Sequence, residues 1–171
     1  MTDLRWEDHR GWLLDPERDG WLPGGCVADT AVADWQALLD LVVERGWEHT
    51  FVVGCFELPW PRAEEVLSWP SGAACPVSSV RPGPEVGVVF RFGRAERIEF
   101  DVDVERLRGQ EGLDDVCGFL AAVGRRLGRS VSTDADGDGP FLRYDLAADE
   151  VRVDGPYGRP STSSASAPTG R

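Results

Sequence analysis

The chain has 171 residues, a formal net charge of −12, 42% hydrophobic and 28% charged residues, a composition that suits a globular protein with one well-filled core. Such acidity argues against nucleic acid and against anionic membrane surfaces, whose phosphates it would repel. All 18 of its cationic Lys/Arg residues are arginine, so chemistry that requires a lysine, such as a Schiff base or a P-loop, is excluded.

Residues 1–28 hold Trp6, Trp12 and Trp21 among prolines and glycines, and read as loops with a short strand near 12–14. The first ten residues are charged and lack the apolar centre of a signal peptide. No apolar run approaches the ~20 residues of a membrane helix, so a cytoplasmic protein is expected. Residues 30–45 follow as a helix: Val32, Trp35, Leu38, Leu39, Val42 and Val43 recur on one stripe. Thr30 or Asp29 is placed to cap it, and Gly46 to end it. Residues 49–56 are almost continuously apolar, the pattern of a central, buried strand.

Leu58-Pro59-Trp60-Pro61 breaks that strand and starts a short helix that Pro70 ends. Trp60 and Trp69, flanked by prolines, are candidate anchors for a partner; the alternative is that they staple irregular loops to the sheet. Residues 70–84 carry four prolines and read as an irregular connection. A hairpin follows, 86–92 and 97–104, turning at 93–96. Residues 113–127 form a second helix with acids in its first turn, Arg125 and Arg126 in its last, and Gly128 as terminator. A short strand at 130–132 and a hairpin, 141–145 and 150–153, complete the domain. The expected fold is α+β, a mainly antiparallel sheet of about five strands with two principal helices. Residues 1–154 form the domain, and 155–171, without acids and nearly without apolar residues, a disordered tail.

Charge is concentrated in two segments. Residues 95–115 hold eight acids against three arginines, and residues 134–154 seven against two. Within the first, Glu99, Asp101, Asp103 and Glu105 alternate with Ile98, Phe100, Val102 and Val104, so a strand would carry the carboxylates on one face. That face suits a basic protein partner. The alternatives are a magnesium site, which would need ligands from a neighbouring strand, or a plain solvent face.

Asp134, Asp136, Asp138 and Gly139 match the opening of a calcium loop, in which alternate carboxylates converge on a hard cation. Position twelve is Asp145 where a bidentate glutamate is usual, and Pro140 precedes a strand. The other reading is a solvated Asp/Gly turn. The four cysteines, Cys26, Cys55, Cys75 and Cys117, lack C-x-x-C spacing and read as free thiols. Cys55 and Cys117 are expected to be buried. His9 and His49 lack zinc-ligand spacing, and no nucleophile elbow or dinucleotide loop is present, so no catalytic residue is assigned, and the enzyme alternative is a carboxylate site that converges only in three dimensions.

The order of segments VGVVFRFG, RIEFDVDV, LDDVCGFLAAVGRRLG, SVST and FLRYDLAADEVRV resembles small stand-alone acidic bacterial proteins of the immunity type. The resemblance covers the second half of the chain and involves no motif of fixed chemistry. It implies a non-enzymatic protein that blocks a toxin by tight contact.

Overall fold

The computed structural model describes residues 4–14, 24–70, 75–103, 107–133 and 139–155. Its helices are α1 (Trp6–Leu13), α2 (Val32–Glu44), α3 (Ala63–Leu67) and α4 (Gly109–Leu127). Its strands are β1 (Gly25–Ala28), β2 (Glu48–Val53), β3 (Phe56–Leu58), β4 (Pro76–Gly83), β5 (Val86–Arg94), β6 (Arg97–Asp103), β7 (Val131–Ser132), β8 (Phe141–Asp145) and β9 (Glu150–Asp154). All nine join one sheet in the order β3-β2-β4-β5-β6-β1-β7-β8-β9, and every described pairing is antiparallel.

The class is α+β, but the expected five strands and two principal helices are corrected to nine strands and four helices among the described residues. Each difference has a local cause. β4 tolerates its prolines because Pro76 is its first residue and Pro82 lies at a register shift between Val80 and Gly83, the positions where a strand can lose a donor. Gly54, at φ 63°, makes a tight turn that splits one apolar run into β2 and β3. The sheet then places β2 next to its edge, with Phe51 its one buried residue. Cys55 falls in that turn and is exposed, against expectation, whereas Cys117 is buried on α4. In the tryptophan-rich start, α1 replaces the strand expected near 12–14, and β1 supplies a strand that composition did not signal.

The helices seal one face of the sheet. Ile98, Phe100 and Val102 of β6 alternate toward it, as do Val86, Val88 and Phe90 of β5. Phe119 of α4 meets Phe90 and Phe100 with ring centroids 6.1 and 5.7 Å away, the spacing of favourable aromatic pairs. Gly124 lets α4 approach β8 closely, since a Cβ there would overlap the Tyr144 ring. Arg126 donates to both carboxylate oxygens of Glu44 at 3.0 and 2.8 Å and ties α4 to α2. Gly128, at φ 62°, terminates α4 as expected.

The cap of α2 differs from expectation. Ala31 is the N-cap, and the Asp34 carboxylate accepts its N–H at 2.9 Å. Thr30 instead faces the β5–β6 turn, donating its hydroxyl to the Ala95 carbonyl at 2.7 Å. That contact seats the start of α2 on the central hairpin.

Candidate functional site

No described helix covers the opposite face of the sheet. None of the described residues that point to it is buried, from Glu57 on β3 to Arg152 on β9. Cross-strand pairing aligns one row over all nine strands: Glu57, Val52, Val77, Arg91, Glu99, Cys26, Ser132, Arg143 and Arg152. A parallel row runs through Thr50, Ser79, Val89 and Asp101. The β2–β5 side of the face thus mixes hydroxylic and aliphatic side chains with Glu57 and Arg91, and the β6–β9 side is mostly charged.

Glu99, Asp101 and Asp103 stand on this face of β6, each partly exposed, with Ile98, Phe100 and Val102 beneath them. Glu105 lies outside the described residues. The stripe is not surrounded by acids alone. Arg91 of β5 pairs with Asp101, and the Arg97 Nε lies 3.3 Å from Glu99 Oε1. On β8 and β9, Arg143 reaches Asp154 at 3.6 Å, and Arg152 reaches Asp145 and Asp154 at 2.8 and 3.4 Å. These pairs are solvated and contribute about 0–1 kcal/mol each to stability. Their chief effect is to hold carboxylates and guanidinium groups in fixed positions across the face. Sequence reading missed the arginines because strand register decides which of them meet the acids, and register is a tertiary property.

Asp134, Asp136 and Asp138 lie outside the described residues. Asp145, the proposed closing ligand, is committed to its own turn. One of its oxygens accepts the N–H groups of Ala147 and Ala148 at 2.9 and 3.3 Å, and the other takes Arg152. The turn's backbone donors, led by Ala148, hold this carboxyl below its usual pKa. A cation would have to displace Arg152. No group of three or more His, Cys, Asp or Glu side chains among the described residues is arranged to hold a metal ion.

The next turn residue, Asp149, sits at φ 51° and accepts hydrogen bonds from Tyr144 Oη at 2.8 Å and Arg125 Nε at 2.6 Å. The Arg125 bond, more than the Tyr144 bond, lowers its pKa. This network braces the β8–β9 hairpin against α4. Elsewhere, at the start of α4, burial and the charges of Asp114, Glu111 and Glu85 raise the pKa of Asp115.

The proline-flanked tryptophans pack inward. The Trp60 indole donates to the Leu39 carbonyl at 3.3 Å, and its ring lies 4.3 Å from that of His49. Trp69 packs against Phe51 at 6.3 Å. The most exposed large apolar side chain among the described residues is Phe56, 70% exposed on edge strand β3. No described helix is long and apolar enough to cross a membrane.

No protein-family model, curated protein or solved structure matches this chain, so its functional reading starts from the surfaces described above.

Proposed function

We propose that this is a non-catalytic acidic binding protein of the cytoplasm, which takes a basic protein partner on the open face of its sheet as an immunity protein takes a toxin domain. The observation that carries the reading is the position of Glu99, Asp101 and Asp103 on the face that no described helix covers. Carboxylates in a stiff strand need no reorganisation to meet a cationic surface, and the net charge of −12 steers such a partner over long range. The arginines beside them set a mixed pattern that a specific partner must complement, which favours selectivity over non-specific adhesion.

Affinity capture from host lysate at low and then high salt, read by mass spectrometry, tests the reading. A stoichiometric basic protein is expected, with association slowed at low salt by Asp101→Arg and Asp103→Arg. Capture of no basic protein, or association unchanged by both substitutions in a folded variant, overturns it. A calcium titration in chelator-treated buffer separates the alternative metal reading, since saturable heat or a raised Tm would belong to the Asp134–Asp145 loop.

A further inference from the structure

The open face contains a hollow of about 220 Å³ where β1, β7 and β8 meet. Side-chain size creates it. Cys26, Ala28 and Ser132 are short, and Phe141 and Arg143 of β8 stand beside them. Ser132 lies across from Cys26 on one side and from Arg143 on the other, so a thiol, a hydroxyl and a guanidinium share one row.

The polar side chains of the lining can all donate hydrogen bonds, and Arg143 is the one ionised group in it. Ser130 adds a hydroxyl whose oxygen already accepts the Leu146 N–H at 3.3 Å, which leaves its proton directed elsewhere. The pair between Arg143 and Asp154, at 3.6 Å, is longer than the about 2.7–2.9 Å of a charge-assisted hydrogen bond. The guanidinium therefore keeps donor capacity for a closer anion. Phe141 supplies an apolar surface at one end of the hollow and Ala28 at the other.

We propose that this hollow binds a small organic carboxylate, with its anionic head on Arg143 and Ser130 and its apolar body against Phe141. The ligand differs in class from a basic protein, and the inference stands apart from the function proposed above. The two also respond oppositely to salt. The field of a protein with net charge −12 repels a small anion, so screening helps the carboxylate and weakens a basic partner.

Cys26 gives a built-in reporter. Its alkylation by iodoacetamide is followed site by site by mass spectrometry in the folded full chain, with benzoate as the probe and exposed Cys55 and Cys75 as references. Millimolar benzoate is expected to slow Cys26 saturably and leave the references unchanged, with protection kept or improved at high salt. Benzamide, of the same shape without the charge, is expected to give none. Arg143→Gln should raise the half-protecting benzoate concentration about tenfold or more, the effect of losing a charged hydrogen-bond donor. An unchanged Cys26 rate, equal protection by benzamide, or full protection in Arg143→Gln overturns the proposal. If that variant melts early, the benzoate–benzamide comparison on the wild-type chain decides.

Discussion

Strand β6 presents two different surfaces one residue apart. Ile98, Phe100 and Val102 lie sealed beneath the helices, while Glu99, Asp101 and Asp103 face outward among arginines from neighbouring strands. A buried side chain of the first kind stabilises the fold by about 1.5–3 kcal/mol, and a solvated ion pair of the second kind by about 0–1 kcal/mol. The same backbone therefore separates two tasks. The covered face fixes the shape, and the open face holds charges whose loss the fold tolerates. A surface that adds little to stability is one on which binding chemistry can vary.

Substitutions that sharpen this contrast rank by face. Phe100→Ala empties the centre of the Phe90, Phe100 and Phe119 cluster and should cost about 3–5 kcal/mol in urea unfolding. Gly124→Ala forces a methyl into the Tyr144 ring, with an expected cost of about 1–3 kcal/mol. Tyr144→Phe keeps the packing and removes the hydrogen bond to Asp149, for about 1 kcal/mol. On the open face, Asp101→Asn should change stability by no more than about 0.5 kcal/mol. A loss as large as that of Phe100→Ala would break the division between the faces.

Asp115 adds a pH test at the boundary of the covered side. Burial first, then Asp114, Glu111 and Glu85, raise its pKa above the unfolded value, so the folded state prefers the protonated acid. That preference favours folding in acid and is lost as pH rises through the raised value. Asp115→Asn copies the protonated form, so it should raise Tm at neutral pH and lose that advantage in acid. A melting series across pH checks the sign.

The legible parts of the molecule were those in which local pattern and tertiary role agree. The period-two alternation of β6 and the middle of the α2 stripe, Trp35, Leu38, Leu39 and Val42, state which side is covered, because side-chain geometry within one element decides it, whereas Val32 and Val43 of the same stripe are exposed. β1 was hidden because Gly25 and Cys26 carry little strand signal, and β4 because its prolines occupy the few positions a strand permits. β2 looked central because its residues are apolar, yet the pairing order puts it beside an edge. At the candidate site the acids were legible and the arginines opposite them were not. The hollow beside Cys26 was equally invisible, since it arises from β1, β7 and β8 brought together from distant parts of the chain.

The most direct measurement of the central claim compares charge reversals on the two sides of the molecule. Association of the captured basic partner would be timed by stopped flow at low and high salt for Glu99→Arg with Asp103→Arg, and for Glu64→Arg with Glu65→Arg on α3. The open-face pair is predicted to slow association at low salt, with the difference fading at high salt, and the α3 pair to leave it near wild type. Slowing by the α3 pair alone would place the partner off the open face and contradict the account.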